Sequence, residues 1–255
     1  MNEQNLDYLT RQIKFTGFGE GHEQELKEKM ESGIAEFVLI HGQEFGLDGA
    51  TATLHFRKSE TMDLYFFNHF DLAVNDHQRT EPVKRTFYVH PKEDRISFKE
   101  GYNLLRGRAV YKEYKPKEGE KYKAWFQLDF KEKDKNGQFK MVQFHPNYGF
   151  DLEATIHTHP IQELSTVEGI KRLLESLERG NRQSVTYGEP GHEQKVFIEA
   201  SPQFKSINVY DDSMRRILAD RLQKKPEQSG LPKSVLPETV VCPPSTKKEF
   251  MEIMG

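Results

Sequence analysis

Three glycines at nearly equal spacing constrain the fold of this chain more than any other feature. Gly33, Gly107 and Gly180 lie 74 and 73 residues apart, and each follows a stretch with the 3.6-residue apolar period of a helix. Glycine often ends helices, because it adopts the left-handed backbone conformation without strain. An apolar residue lies three positions before each glycine, and strand-like segments follow. Several features that share one period predict an internal structural repeat.

The predicted fold class is α+β, with three divergent units that each contain a helix followed by an antiparallel meander of strands. Ser97 with Glu100 and Ser165 with Glu168 have the spacing of a capping box at the start of the second and third helices. One helix on three strands buries a single sheet face, so the units should share surface or the chain should form a homo-oligomer.

The predicted boundaries follow from this repeat. Residues 1–90 contain an additional N-terminal helix and the first unit, residues 91–160 the second unit, and residues 161–225 the third. A further amphipathic helix is expected over about residues 212–222. Residues 226–255 hold five of the 12 prolines, which predicts a flexible or extended tail.

Composition limits the classes of function. The 37 Lys and Arg residues nearly balance 40 Asp and Glu residues, so no global field attracts nucleic acid or an anionic membrane, although a local patch is compatible with this balance. The single cysteine, Cys242, excludes an internal disulfide and a multi-cysteine zinc site. No apolar signal region or membrane span is visible. We therefore expect a cytoplasmic protein without membrane contact.

Motifs for catalysis and cofactors are weak. Cys242 lies in the proline-rich tail, where no base is positioned beside it. The glycine-rich segment 17–21 follows a helix, whereas a dinucleotide-binding loop follows a strand. His157 and His159 supply two metal ligands, fewer than a zinc site needs, and Pro160 favours a surface turn. We expect no enzymatic activity, no cofactor and no metal.

Basic residues interleaved with aromatic residues form the best candidate binding surface. This pattern is typical of proteins that bind single-stranded nucleic acid, but it also occurs on the solvated face of an ordinary sheet. The centre is expected on a wet strand face around Arg108, Tyr111, Tyr122 and Trp125, with a core position as the alternative for Trp125. The predicted binding residues are Arg106, Arg108, Tyr111, Lys112, Lys121, Tyr122, Lys123, Trp125, Arg179 and Arg182.

Several segments resemble proteins of Bacteroides-type conjugative transposons and related mobile elements. The resemblance covers about residues 5–220 and is carried by Leu104–Lys112, Gly119–Phe130, Asn147–Leu152, Gly180–Thr186 and Ile207–Asp211. Those proteins are similar to a domain family of unknown function, some of whose members are encoded near DNA-processing genes. The resemblance implies a genetic context and no catalytic residues.

Two hypotheses of function follow. The first is a non-enzymatic accessory protein, of a mobile element, that binds an unknown protein partner through sheet faces or edges. The alternative is an accessory protein that binds single-stranded or duplex DNA.

Overall fold

The computed structural model describes residues 1–77, 79–89, 96–116 and 119–218. Five α-helices lie in these ranges: α1 (Glu3–Ile13), α2 (Glu23–Glu31), α3 (Phe98–Leu105), α4 (Leu152–His157) and α5 (Val167–Glu178). A π-helical turn, Lys14–Phe18, continues α1. Leu6, Leu9 and Ile13 form the apolar stripe of α1 and are buried, as their helical spacing predicts.

In the described ranges eleven strands form three antiparallel sheets, and within each sheet a strand pairs with the next one along the chain. The first sheet consists of β1 (Glu36–Phe45), β2 (Asp48–Lys58), β3 (Tyr65–Asn75) and β4 (Val83–Tyr88). The second consists of β5 (Val110–Tyr114), β6 (Tyr122–Lys133) and β7 (Phe139–Phe144). The third consists of β8 (Gln183–Tyr187), β9 (Gln194–Ser201), β10 (Ser206–Tyr210) and β11 (Arg216–Ile217).

The repeating α+β architecture is confirmed. Gly33, Gly107 and Gly180 follow α2, α3 and α5 with φ of +70°, +79° and +74°, in the left-handed region that favours glycine. Each glycine leads into one of the three meanders. The same helix-glycine-meander order therefore occurs three times in the described part of the chain.

The capping of the second and third unit helices differs. Ser97 and Glu100 form the predicted capping box at α3, with both reciprocal hydrogen bonds present. The predicted box at Ser165 is wrong, because Thr166 is the N-cap of α5 and its hydroxyl accepts a hydrogen bond from the amide of Gly169, at 3.1 Å. Ser165 instead ends a short 3₁₀ turn.

The three units share two hydrophobic cores, with the second sheet between them. Ala124, Phe126 and Leu128 of β6 pack into the first core, which also contains α1, α2, α3 and the first sheet. Trp125 points to the opposite side and packs into the second core, with α4, α5 and the third sheet. Both faces of β6 are therefore covered, as expected if neighbouring units share surface.

The predicted helix over about residues 212–222 is wrong in its described part. Residues 212–218 do not continue as a helix, because Asp211 accepts the Arg215 amide in a tight turn and β11 then pairs with β10. β4, β11 and α4 were not predicted, and the first and third meanders therefore have four strands where three were expected. The tail 226–255 and Cys242 lie outside the described residues.

None of the helices in the described ranges combines the length and the apolar character needed to cross a bilayer.

Candidate ligand-binding cleft at the junction of the units

A cleft of about 770 Å³ opens where the three units meet. We call it the junction cleft. Its residues come from α1 and the following turn, from the start of α3, from β5, and from the loop after α5. They are Tyr8, Arg11, Gln12, Phe15, Ser97, Lys99, Glu100, Lys112, Arg179 and Asn181.

One wall of the cleft is a second stripe along α1. Tyr8, Arg11 and Phe15 follow each other at helical spacing, on a different side from the buried apolar stripe. Tyr8 is 43% exposed and Phe15 is 79% exposed. A phenylalanine this exposed buries little apolar surface in the fold, so its ring is available to a ligand.

Lys99 lies in the first turn of α3 and lines the cleft, and the two rings that its ammonium contacts line an adjoining pocket. Its Nζ is 3.8 Å from the ring centroid of Phe45 and 4.5 Å from that of Tyr102, which places the ammonium over two aromatic faces. Partial burial, together with the positive charge of Arg108, lowers the pKa of Lys99 to about 8. Within the described residues no carboxylate forms an ion pair with Lys99. Its charge is therefore free to attract an anion.

The carboxylate in the cleft is neutralised. Glu100 Oε1 lies 3.0 Å from Lys112 Nζ, and Glu100 Oε2 accepts hydrogen bonds from the backbone and hydroxyl of Ser97, each at 2.8 Å. Three basic side chains, Arg11, Lys99 and Arg179, then have no carboxylate within 4 Å among the residues the structure describes. The cleft has an excess of positive charge in a chain whose formal net charge is −3.

Asn103 holds the third unit against α3. Its side-chain amide donates to the carbonyl of Arg179 at 2.7 Å and to Oδ1 of Asn181 at 2.9 Å. Its own Oδ1 accepts from Nη2 of Arg108 at 2.6 Å. Asn103 is fully buried, so these bonds position the loop that carries Arg179 at the cleft rim.

A second pocket of about 550 Å³ adjoins the junction cleft and shares Lys99 and Asn181 with it. In this pocket the two arginines make contacts within the protein. Arg108 lies over the ring of Tyr102, and its burial lowers its pKa. Arg182 pairs with the buried Glu199 at 3.1 Å. The pocket adds positive charge next to Lys99. In the described structure, however, fewer of its basic side chains lack a carboxylate partner than in the junction cleft.

The structure brings together only part of the predicted binding set. Arg108, Lys112, Arg179 and Arg182 line the two pockets around Lys99. Arg106 is placed elsewhere: it bridges the buried carboxylates of Asp48 and Asp76.

The remaining predicted residues lie on the second sheet. Lys121 pairs with Glu113 at 2.7 Å, and the Tyr122 hydroxyl donates to Gln143 at 2.8 Å. Lys123 is exposed, with its Nζ 6.0 Å from the ring of Tyr111. These side chains do not reach the junction cleft.

The predicted wet strand face around Arg108, Tyr111, Tyr122 and Trp125 is wrong. Tyr122 and Trp125 are three residues apart on β6, so they point to opposite faces of the sheet. Trp125 is 5% exposed and packs with Tyr111 in the second core. The alternative, that Trp125 is a core residue, is the arrangement found.

Of the ten cleft residues, only Lys112 and Arg179 were in the predicted binding set, and the eight others include Tyr8, Arg11, Phe15 and Lys99. A signal for the first three was present, because they form a stripe of their own between the buried positions of α1. For Lys99 the sequence holds no such signal, since its aromatic contact Phe45 comes from another unit.

Comparisons with protein-family models, with curated proteins and with solved structures each found no match to this chain. The resemblance to proteins of mobile elements therefore stays a hypothesis.

Proposed function

We propose that the protein is a non-enzymatic accessory protein that binds single-stranded nucleic acid in the junction cleft. Arg11, Lys99 and Arg179 contact phosphates, and the ring of Phe15 stacks on a base. The resemblance to mobile-element proteins suggests a role beside DNA processing in the cytoplasm, as part of the same proposal.

The observation that carries this proposal is the position of Phe15, which is 79% exposed beside three basic side chains that have no carboxylate partner in the described part of the chain. Cations that follow the backbone and aromatic rings that accept bases are the two elements of single-strand recognition. In a duplex the base faces are covered by neighbouring bases, so a protruding ring favours the single strand.

The positive charge of the cleft sets the expected salt dependence of its affinity for a single strand. Each neutralised phosphate of a single strand contributes a slope of about −0.7 in a plot of log affinity against log salt concentration. Three contacts predict a slope of about −2. The whole chain has a formal net charge of −3 and so adds no general attraction for nucleic acid to these contacts.

Fluorescence anisotropy of a labelled oligothymidylate, measured at several salt concentrations, tests the proposal. We expect binding at low salt with the predicted slope, and a slope smaller by about 0.7 for Arg179→Gln. Lys195→Gln is the matched control, since Lys195 is exposed on β9 and lies outside the cleft. No binding at low salt, or equal losses for the two variants, contradicts the proposal.

Binding of a protein partner through a sheet face is the second candidate. The outer face of the first sheet exposes four large apolar side chains in the described structure: Val38, Ile40, Phe66 and Tyr88. A solvated sheet face normally carries polar residues, so this patch favours a contact. The partner is a different protein or a second copy of the chain.

Two measurements distinguish these outcomes. A pull-down with nuclease treatment should retain a protein partner for the parent chain and lose it for Ile40→Lys, if the face binds protein. Analytical ultracentrifugation detects a second copy as a dimer that Ile40→Lys dissociates. Unchanged behaviour of Ile40→Lys in both experiments contradicts the second candidate.

A further inference from the structure

We propose that His55, His69 and Asp71 form a binding site for a divalent transition-metal ion of the zinc type on the outer face of the first sheet. The site is independent of the junction cleft and of the proposed nucleic-acid binding.

The pairing of β2 with β3 brings the three side chains together. His55 and His69 are directly opposite each other in the antiparallel register, and Asp71 lies two residues beyond His69 on the same face. The imidazole rings are stacked, with centroids 4.3 Å apart and an interplanar angle of 15°. One ligand atom of each residue lies within 4.8 Å of the other two.

Small side-chain rotations suffice to coordinate an ion. Zinc binds imidazole nitrogen and carboxylate oxygen at about 2.0–2.2 Å, which requires ligand atoms about 3.3 Å apart. Nε2 of His55 and Oδ2 of Asp71 are already 2.9 Å apart. The side chains of His55 and Asp71 are 32% and 50% exposed, so they can rotate and the ion can enter from solvent.

A second layer of hydrogen bonds orients the carboxylate. Thr86 of β4 donates its hydroxyl to Oδ1 of Asp71 at 2.5 Å, which leaves Oδ2 for the ion. Thr86 in turn accepts from the side-chain amide of Gln138 at 3.0 Å. Such outer partners fix the direction of a metal-binding carboxylate and raise its affinity. Here they connect the site to the second unit.

The basic side chains around Asp71 leave its carboxylate accessible to an ion. Among the described residues, His55 is the one basic side chain within 4 Å of the Asp71 carboxylate. Lys84 and Arg85 line the pocket on the other side of Asp71 without an ion pair to it.

The donor set indicates the class of ion. Two imidazoles and one carboxylate suit zinc and similar divalent transition metals better than calcium or magnesium, which prefer oxygen ligands. Three protein ligands leave a fourth coordination position open for water or for a group from another molecule.

A second cluster of the same residue types provides a control within the molecule. Asp48, Asp76 and His77 also lie within ligand distance of one another. The guanidinium of Arg106 pairs with both carboxylates there, so their charge is already compensated. A metal ion would have to displace Arg106.

Zinc titration against a competing chromophore tests the proposal. The full chain is used without a histidine tag, after treatment with a chelator, and with Cys242→Ser so that the thiol cannot bind zinc. We expect one zinc ion per chain, and His69→Gln and Asp71→Asn should each weaken binding at least tenfold. Thr86→Val should weaken it about tenfold through the lost outer hydrogen bond. His77→Gln should leave binding unchanged.

Stability measurements separate loss of ligation from loss of folding. Zinc should raise the urea midpoint of the parent chain, because an ion that binds only the native state stabilises it. The midpoint of His69→Gln in chelator should equal that of the parent, and zinc should not raise it. Failure to compete for zinc overturns the proposal, as does loss of binding in His77→Gln with normal binding in His69→Gln.

Discussion

The two ends of α3 carry basic side chains in opposite situations. Arg106, at the C-terminal end, bridges Asp48 and Asp76, whose side chains are 8% and 6% exposed. Lys99, seven residues earlier on the same helix, lies over two aromatic rings and has no carboxylate partner among the described residues. Of these two side chains, only Lys99 lines the junction cleft.

The buried carboxylates, more than the cations themselves, determine which basic side chains are available to a ligand. A buried carboxylate needs a partner, because an unpaired buried charge is costly. Asp48 and Asp76 therefore hold Arg106 in the fold. No buried carboxylate in the described structure holds Lys99, so its charge can serve a ligand.

The largest expected effect is on stability at the Arg106 end. Arg106→Met leaves two buried carboxylates without their main partner and should lower the free energy of unfolding by about 3 kcal/mol. Lys99→Met should lower it by less than about 1 kcal/mol, because it removes only a cation–π contact. Urea denaturation followed by circular dichroism measures both. Similar losses of unfolding free energy for the two variants would contradict a structural role that belongs to Arg106 and not to Lys99.

The second effect concerns the loop that carries Arg179. A Cβ at Gly180 would lie 2.7 Å from the carbonyl oxygen of Ala109, whereas a Cβ at Gly33 meets nothing within 4 Å. Both residues have positive φ, so alanine costs about 1 kcal/mol at each site from backbone strain. Gly180→Ala should lower the free energy of unfolding by about 1–3 kcal/mol more than Gly33→Ala, because of the clash with the Ala109 carbonyl.

Binding distinguishes the same glycine variants. Gly180→Ala should also weaken oligonucleotide binding, because it displaces the neighbouring Arg179, whereas Gly33→Ala should leave the affinity unchanged. Urea denaturation measures the stability of the two variants, and fluorescence anisotropy measures their affinity for the oligonucleotide. Equal effects of the two variants on both stability and affinity contradict the role of this loop.

The third effect is on the affinity for the oligonucleotide and is expected on removal of the Phe15 ring. Phe15→Ala should lose about 1–3 kcal/mol of binding free energy through lost base stacking, with little change in stability because the ring is mostly exposed. Phe204→Ala is the matched control, since Phe204 is 66% exposed and lies outside the cleft. A normal affinity for Phe15→Ala shows that the ring does not stack on a base.

The smallest effect is a pH dependence from Lys99. Its pKa of about 8 means that the ammonium loses its proton as pH rises from 7 to 9. A phosphate binds the charged form of Lys99, so the affinity for the oligonucleotide should fall severalfold between pH 7 and 9. Lys99→Arg keeps the charge and should abolish the dependence. A parent chain with constant affinity between pH 7 and 9 argues against contact of Lys99 with phosphate.

Much of the fold could be predicted from local patterns. The glycines after α2, α3 and α5 and the capping box at the start of α3 depend on residues close in sequence, and the structure agrees with them. The segment 212–218 was misread because its apolar residues fit a helical period, while the turn at Asp211 and the pairing with β10 decide its structure.

The site was less predictable, because it depends on partners distant in sequence. Nothing near Arg106 reveals that Asp48 and Asp76 neutralise it. Trp125 belongs to a basic and aromatic stretch, yet the third unit covers it. The sequence pattern identifies basic side chains. The tertiary structure determines which of them are paired with a carboxylate.

The most direct test is to locate where a single strand contacts the protein. Photocrosslinking of a bromouridine-containing oligonucleotide, followed by mass spectrometry of the digested protein, identifies the contacting residues. The account predicts crosslinks to Tyr8 and Phe15, which high salt abolishes. Crosslinks found only on the second or third sheet, with none in α1 or the turn after it, would contradict the assignment of the junction cleft.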